Sequence, residues 1–329
     1  MRKGLAACAV ALAALGARWA FVASARLPAA VDRHPEPRGV FHVHTTRSDG
    51  RGTVDDVALA AAAVGLDFVV LTDHNVAPLP AERRHGVLLI YGEEQSLPEG
   101  HLVTLAATGG ELRLFAHPLN RRVPWRELSE PADGMELLSW DDFWREALRP
   151  PWGRLLLAFV DAPASMLYGV YDLFRRPVEA LSAYDRLRPG RPGFRGLCSV
   201  DAHGLPGYAT SFQSLQIHLP GLRLSGDAAR DALAVADGLA RGPLYCGLDG
   251  VASASGLGFA PVPGGTELRA PPVGFPADAR VVTFCRGAVS AEGPLPVRVP
   301  RGCRAEIRLP ELQSRWPASG GSWIYADPP

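Results

Sequence analysis

The stretch FHVHTTRSDG, residues 41–50, places two histidines two positions apart and an aspartate five positions after the second. In a β-strand, residues i and i+2 point to the same side, so His42 and His44 can converge on one point while Val43 faces the other way. Asp49 follows the strand in a Ser-Asp-Gly turn that can fold back over its end. Imidazole and carboxylate groups in this arrangement can begin a metal site, although one His-x-His pattern has low specificity.

Similar groups recur at the ends of the later predicted strands. These strand ends carry Asp73 and His74, Glu93 and Glu94, His101, His117, and then Asp201 and His203. Together with His42 and His44, six of the nine histidines of the chain lie at these strand ends. Because the C-terminal ends of barrel strands form the active site of α/β barrels, the repeated pattern predicts one shared metal centre.

The predicted elements around these motifs alternate between strands and helices. GVFHVH, DFVVLTDHN and GVLLIYGEE have the apolar runs of buried strands, and TVDDVALAAAAVGL follows the first of them as a helix with Thr53 as N-cap. This alternation predicts a mostly parallel α/β architecture. Residues 140–190 are helical, aromatic and rich in proline; we interpret them as an insert that packs on the main body, and a lid or a membrane-facing element is the alternative. Beyond residue 255 the pattern predicts a small antiparallel sheet.

Composition limits the function classes. The chain has 329 residues, of which 47% are hydrophobic and 21% charged, as in a soluble globular protein. Basic and acidic residues number 34 each, so no basic field supports extensive nucleic-acid binding, although a small nucleotide stays open. Lys3 is the only lysine, which excludes a Schiff-base lysine in the body of the protein.

The N-terminus predicts export. Met1-Arg2-Lys3 precedes an apolar run, and Ala23-Ser24-Ala25 fits a cleavage site. We favour a cleaved signal peptide over residues 1–25, because the uncharged run is shorter than the ~20 residues that a spanning helix needs. An uncleaved membrane anchor is the alternative. Residues 26–38 are predicted to be a linker. Cys285 and Cys303 could form a disulfide in an oxidising compartment, and buried free thiols are the alternative.

The motifs HxH with SDG, TDHN, GEE before GH, HP and SVDAH, in this order, resemble those of the PHP family (polymerase and histidinol phosphatase domain). The likeness covers about residues 39–250 and is greatest to exported hydrolases, including carbaryl-hydrolase-like and exonuclease- or phosphoesterase-like members. The strand pattern of the tail predicts a small C-terminal antiparallel β domain over residues 256–329. For residues 39–255, the likeness implies a distorted (β/α)7 barrel that contains the 140–190 insert. It also implies two or three divalent metal ions, Zn, Mn or Fe.

The resemblance also implies roles for single residues. The first metal would bind His42, His44, Glu94 and Asp201; the second would share Glu94 with His101 and His117; the third would bind Asp49, His74 and His203. Glu94 is chosen over Glu93 because the family pattern is Gly-x-Glu. Val200 departs from the family, which usually has Gly or Ser before the aspartate. Glu94, Asp201 and His203 would be catalytic, and Asp73 would orient a metal-bound histidine.

These residues predict a phosphoesterase that hydrolyses a small or nucleotide phosphomonoester or phosphodiester, including oligonucleotide ends, through metal-activated water. No Ser-His-Asp or Cys-His motif and no Gly-rich phosphate loop offers another route. Hydrolysis of a carbamate, ester or amide by the same centre is the alternative, and a non-catalytic metal-binding protein is the third hypothesis. Residues outside the motifs are expected at the surface or in structural roles: His34, His85, His218, Arg47, Arg51, Arg121 and Arg122. One of these arginines could instead hold a substrate phosphate.

Overall fold

The computed structural model describes residues 2–24, 36–120, 122–128, 130–271 and 274–328, with side chains described from residue 10 onward. His34, Arg121 and most of the predicted linker lie outside these residues. The fold is a mixed α/β arrangement of helices and large sheets. The helices are α1 (Arg2–Ser24), α2 (Val54–Val64), α3 (Trp140–Ala147), α4 (Gly153–Asp161), α5 (Met166–Leu173), α6 (Val178–Leu187), α7 (Tyr208–Ser214), α8 (Ala228–Arg241) and α9 (Pro310–Arg315).

The first eleven strands come before residue 248. They are β1 (Arg38–Val43), β2 (Phe68–Leu71), β3 (Glu82–Arg84), β4 (Val87–Tyr91), β5 (Glu93–Leu97), β6 (Gly100–Ala107), β7 (Gly110–Phe115), β8 (Gly134–Ser139), β9 (Arg195–Ser199), β10 (Gln216–His218) and β11 (Leu244–Gly247). The tail adds β12 (Gly258–Val262), β13 (Gly265–Arg269), β14 (Arg280–Cys285), β15 (Ala288–Gly293), β16 (Val297–Pro300), β17 (Arg304–Arg308) and β18 (Ser322–Asp327).

These strands form three sheets within the described part of the chain. The first has the order β15-β14-β17-β18-β11-β10-β1-β2-β4-β3, the second β5-β6-β7-β8-β9, and the third β12-β13-β16. Parallel pairing joins β1 to β2, β2 to β4, β7 to β8 and β8 to β9, and the other pairs of the sheets are antiparallel. For the strands before residue 255, the expectation of mostly parallel pairing was therefore wrong, because β5, β6 and β7 connect as short hairpins and β3, β10 and β11 also pair antiparallel.

Backbone hydrogen bonds join the first two sheets along two seams. At one seam, beyond the end of β9, the N–H of Ala202 donates to the carbonyl of His42 at 3.2 Å, and the N–H of His44 donates to the carbonyl of Ala202 at 3.0 Å. At the other, the N–H of Asn75 donates to the carbonyl of Glu94 at 3.0 Å. Each seam therefore lies beside residues that the sequence assigns to the metal centre.

Local signals in the sequence explain where α2 begins and ends. Thr53 and Asp56 form a reciprocal capping box at its N-terminus. Gly65 ends the helix in a left-handed conformation with φ 74°, which glycine adopts at little cost. The helix buries Val57, Ala61 and neighbouring apolar residues against the sheet. It thereby holds the loop after β1 in place, since that loop leads directly into its N-cap.

The predicted insert contains helices α3 to α6. Most of its aromatic side chains are buried, including Trp140, Phe143, Tyr171 and Phe174, which pack on one another. This agrees with an insert that packs on the main body. Trp152 and Phe159 are instead exposed.

The tail residues form antiparallel sheets, and one of them continues the first sheet. β18 pairs antiparallel with β11, so β14, β15, β17 and β18 extend the sheet that holds β1. The boundary of a separate C-terminal domain at residue 256 stays a prediction. Cys285 and Cys303 form a disulfide, as one alternative predicted, and Cys198 and Cys246 form a second that links β9 to β11.

Helix α1 packs on the insert. The guanidinium of Arg18 forms an ion pair with the buried carboxylate of Asp161, and Trp19 donates from Nε1 to the carbonyl of Val160 at 2.6 Å. Val22 of this helix is buried. Among the residues that the structure describes, no helix has both the length and the apolar character to cross a membrane.

Candidate metal centre

A β-bulge places His42 and His44 together. Phe41 pairs with Val70 and Val43 with Leu71, so His42 is an extra residue on β1 and takes φ 69°. The two imidazole rings lie 5.0 Å apart between centroids and both are fully buried. Their convergence was predicted, but the reason differs, since the bulge interrupts the regular alternation of the strand.

Three of the candidate ligands have left-handed backbones. His42, His117 and Asp201 have φ values of 69°, 28° and 44°, which cost energy for residues with a Cβ. Such strain persists where the surrounding structure over-determines the conformation, and it is frequent at functional sites. The fold thus holds these three side chains in orientations that a regular strand would not give.

Glu94 lies at the middle of the histidine cluster. Its Oε2 is 2.9 Å from Nε2 of His42 and 3.1 Å from Nε2 of His44. Its Oε1 is 2.8 Å from Nδ1 of His101 and 2.9 Å from Nε2 of His117. The carboxylate therefore faces a different pair of imidazoles with each oxygen. Glu93 is only partly buried, and its carboxylate accepts from Gln95.

The structure brings all nine predicted ligands into one cluster. Three groups in it have donor atoms close enough to share an ion: His42, His44, Glu94 and Asp201; His44, Asp49, His74 and His203; and His74, Glu94 and His101. The first contains the residues predicted for the first metal, and the second contains those predicted for the third together with His44. In the last group His74 stands beside Glu94 and His101, while His117 reaches the same carboxylate from the other side. Their role as ligands stays a prediction.

The outer side of the cluster is the accessible one. Nε2 of His203 lies 3.3 Å from Oδ2 of Asp49, whose side chain is 55% exposed. Nδ1 of His203 lies 3.0 Å from the carbonyl of Asp201. Gly50 allows the turn to approach this closely, because a Cβ there would lie 2.3 Å from the carbonyl oxygen of His44. Solvent and ligands therefore reach the centre past Asp49 and His203.

Burial and close charges shift the protonation of the inner groups. Burial alone would lower the pKa of His44, but the neighbouring carboxylates of Asp201 and Glu94 raise it to about 9. Burial would likewise lower the pKa of His117, and Glu94 raises it to about 9. Burial would raise the pKa of Glu94, but the surrounding histidines lower it well below its usual range. The protein groups alone thus favour an ionised Glu94 beside protonated imidazoles at His44 and His117.

The donor set fits divalent ions. Four buried atoms of the cluster have no hydrogen-bond partner in the described structure: His44 Nε2, His74 Nδ1, His117 Nδ1 and Asp201 Oδ1. Two of them, His44 Nε2 and Asp201 Oδ1, face each other at 3.2 Å within one of the three groups. Unpaired buried polar atoms are costly, and a cation between them would satisfy both. Imidazole and carboxylate donors suit Zn, Mn or Fe.

Two carboxylates support the cluster from outside it. Oε1 of Glu136, on β8, lies 2.6 Å from Nδ1 of His42, and its Oε2 accepts from the N–H of His117 at 2.7 Å. Asp73 accepts from Thr45 and Ser48, and so fixes the loop between His44 and Asp49 instead of orienting a histidine directly. Glu136 was missed from the sequence, although a single charged residue within the apolar strand GMELLSW was a usable signal.

Three of the residues expected to lie outside the site, His85, His218 and Arg47, have their partners outside the cluster. His85 is exposed and pairs with Asp55, and His218 is buried between Glu36 and Asp249. Arg47 donates to the carbonyl of Ala77.

Two cavities flank helix α3, one on each side. The larger, of about 260 Å³, has Asp49, Asp201 and His203 in its wall. Arg51 borders this cavity, and Arg122 borders the smaller one, of about 100 Å³.

Comparison with known proteins gives no match to a family model and none to a curated protein. Among solved structures, a two-domain protein from Bacteroides vulgatus, described as containing a predicted PHP-like metal-dependent phosphoesterase, has 12% identity and a TM-score of 0.41 over 92% of this chain and 98% of its own. PsfC from Pseudomonas syringae has 13% identity and a TM-score of 0.37 over 60% of this chain and 88% of its own.

Proposed function

We propose that this chain is a PHP-type metal-dependent phosphoesterase that hydrolyses a phosphomonoester or a phosphodiester, including nucleotides or oligonucleotide ends. One observation carries the proposal: three overlapping groups of imidazole and carboxylate donors meet around the buried carboxylate of Glu94. A purely structural network of ion pairs would rarely place six histidines around two buried carboxylates, here Glu94 and Asp201. A hydrolytic site needs donor groups that a substrate can reach, and the side of this cluster with Asp49 and His203 is accessible.

The strands that carry these residues support a distorted seven-stranded barrel. β1 pairs with β2, and β2 with β4, which continues into β5; β5 to β9 then pair in order. The two seams bring the end of β9 against β1, and β5 against the segment after β2. We propose that residues 39–255 fold as this barrel, with the ligands at the C-terminal ends of its strands.

We assign different roles in the reaction to different residues of the cluster. Glu94 would help to hold the cations, and Asp201 would complete the inner site beside His42 and His44. Divalent ions bound there supply an acidified water and clamp the phosphoryl oxygens. His203, at the accessible side, would exchange a proton with the leaving group or the solvent when its Nε2 is not bound to an ion.

We also propose that the protein is exported. The disulfides Cys198–Cys246 and Cys285–Cys303 support an oxidising compartment, because cytosolic proteins rarely keep such bonds. Residues 1–25 would direct this export, either as a signal peptide or as an anchor.

A carbamate, ester or amide hydrolase is the second candidate function. The apolar side chains Trp140, Trp144 and Leu173 line the larger cavity beside His203. An uncharged aryl ester or carbamate could bind against such a wall, and the same centre could supply the attacking water.

The test is an assay of the full-length chain loaded with Mn or Zn. The substrates are 4-nitrophenyl phosphate, bis(4-nitrophenyl) phosphate and an aryl N-methylcarbamate. We expect turnover of at least one phosphoester, and Glu94→Gln should abolish it. Glu93→Gln is the matched control, since this neighbour lies outside the cluster. Metal binding without turnover of any phosphoester would reject the proposal, and turnover of the carbamate alone would favour the second candidate.

A further inference from the structure

The insert supplies one wall of the cavity beside the metal centre. Helix α3 begins directly after β8, the strand that carries Glu136. One wall of the cavity of about 260 Å³ contains Asp49, Asp201 and His203, and the facing wall contains Trp140, Trp144 and Arg145 of α3. The insert therefore reaches the predicted reaction site as well as packing on the body.

Arg145 places a positively charged guanidinium in this wall, and a neighbouring side chain orients it. Its Nε donates to the carboxylate of Asp141, one helical turn earlier, and its side chain is 37% exposed. In the described part of the chain this is the one hydrogen bond that the guanidinium makes, so both of its terminal nitrogens remain available. A planar guanidinium with two available nitrogens suits bidentate binding of a phosphoryl group or a carboxylate.

The rest of the wall is mostly apolar and aromatic, with Asp141, Ser211 and Ser214 as its other polar residues. Trp140 is buried and Trp144 partly buried, and Val170 and Leu173 of α5 continue the surface. Leu205 and Pro206 line the cavity from the loop that follows His203. Tryptophan faces bind flat aromatic groups well, and the apolar area favours a substituent without charge.

We propose that this cavity selects phosphate esters with an aromatic or other apolar alcohol group, that Arg145 binds the anionic phosphoryl group, and that Trp140 and Trp144 bind the ring. The inference rests on the proposed function and narrows its substrate class. Asp141 is a positioning residue, since it acts through Arg145.

Arg149 offers a matched control. It lies one turn further along, just beyond α3, and lines the smaller cavity on the other side of the helix together with Arg122 and Arg175. Of these arginines, Arg145 alone borders both cavities. A general effect of positive charge near the site would involve Arg149 as much as Arg145.

The experiment compares phenyl phosphate with glycerol 2-phosphate on the full-length, metal-loaded protein. We expect kcat/KM to favour phenyl phosphate, and Arg145→Gln to lower kcat/KM for both substrates by roughly 10- to 100-fold, mainly through KM. Trp144→Leu should reduce the preference for phenyl phosphate and spare glycerol 2-phosphate. Asp141→Asn should raise KM with little change in kcat, and Arg149→Gln should match the wild type. Thermal unfolding confirms that each variant is folded.

A binding measurement separates the two proposals. Phenylphosphonate is not hydrolysed, and calorimetry reports its affinity for the metal-loaded protein without turnover. Loss of that affinity in Arg145→Gln but not in Arg149→Gln would support the pocket even if no phosphoester were hydrolysed. Turnover that is indifferent to Arg145 and Trp144, or equally sensitive to Arg149, would overturn the inference and leave the phosphoesterase proposal standing.

Discussion

Nδ1 of His42 lies 2.6 Å from Oε1 of Glu136, while Nε2 of the same ring lies 2.9 Å from Oε2 of Glu94. The contact with Glu136 occupies Nδ1 from outside the cluster, so the ring is oriented with Nε2 facing the centre. The second oxygen of Glu136 holds the backbone of His117. One carboxylate from β8 thus orients two predicted ligands on two other strands.

Replacing Glu136 should therefore weaken metal binding without removing a ligand. We expect Glu136→Gln to lower the affinity for Zn or Mn by roughly 10- to 100-fold, the usual effect of losing a group that orients a ligand. Competition with a chromophoric chelator measures this affinity. Glu111→Gln, at an exposed position, is the control, and equal affinities in both variants would contradict the role of Glu136.

Asp49 should affect one ion and spare the others. It meets His74 and His203 at the exposed side, whereas His42 contacts Glu94 in the buried part of the cluster. We expect Asp49→Ala to lower the metal content by about one ion per chain relative to the wild type. Metal analysis after gel filtration measures the content. A loss of every ion, or of none, would mean that the separate groups do not act as separate sites.

Metal binding should release protons and weaken as the pH falls. The pKa values of His44 and His117 are raised to about 9 by their carboxylate partners, so both rings carry protons at pH 7. A metal ligand must be neutral imidazole, so binding displaces these protons and affinity should rise from pH 6 to pH 9. Calorimetry in two buffers with different ionisation enthalpies counts the released protons. Affinity that is constant over this pH range would argue against both rings as ligands.

The sequence predicted the membership of the cluster better than its geometry. His42, His44, Glu94, Asp201 and their partners lie at strand ends, where residue type and position already indicate their role. The bulge at His42 was not predictable, because it depends on how β1 pairs with β2.

Other features were not predicted because they depend on contacts between segments that are distant in the sequence. Cys198 and Cys246 are separated by 48 residues and meet only once β9 and β11 are in place. The cavity beside α3 likewise exists only through tertiary packing, so Arg145 gave no signal in the sequence while four loop arginines did.

Glu306 should make the stability of the folded protein depend on pH in the acidic range. This buried carboxylate accepts from Arg176 at 2.6 and 2.8 Å and from Arg304 at 2.6 Å. Burial alone would raise its pKa from 4.5, but these arginines lower it to about 2. A lowered pKa gives stability that is present above the unfolded value and is lost as the pH falls from about 4.5 to about 2.

The variant Glu306→Gln tests this linkage. We expect it to lower the free energy of unfolding at pH 7 by roughly 3 kcal/mol, because the guanidinium of Arg176 loses its carboxylate partner and that of Arg304 keeps only Asp185. The difference from the wild type should shrink as the pH approaches 2. Urea unfolding at several pH values measures it, with Glu292→Gln at an exposed position as control. A difference that is independent of pH would point to packing instead of charge.

The ion pair between Arg18 and Asp161 distinguishes the two interpretations of the N-terminus. Asp161 is fully buried, and Asp172 lies close enough that burial and Asp161 together raise the pKa of Asp172 to about 8. If α1 stays on the mature protein, Arg18→Gln should destabilise it by roughly 2 kcal/mol, since a buried carboxylate loses its cation. Asp161→Asn in the same chain should recover much of that loss, because no charge is then left unpaired.

Thermal unfolding measures the stability of these variants, and the mass of the intact mature protein identifies its first residue. A mature chain that begins after Ala25 would instead support the cleaved signal peptide, and α1 would then be absent from the mature protein.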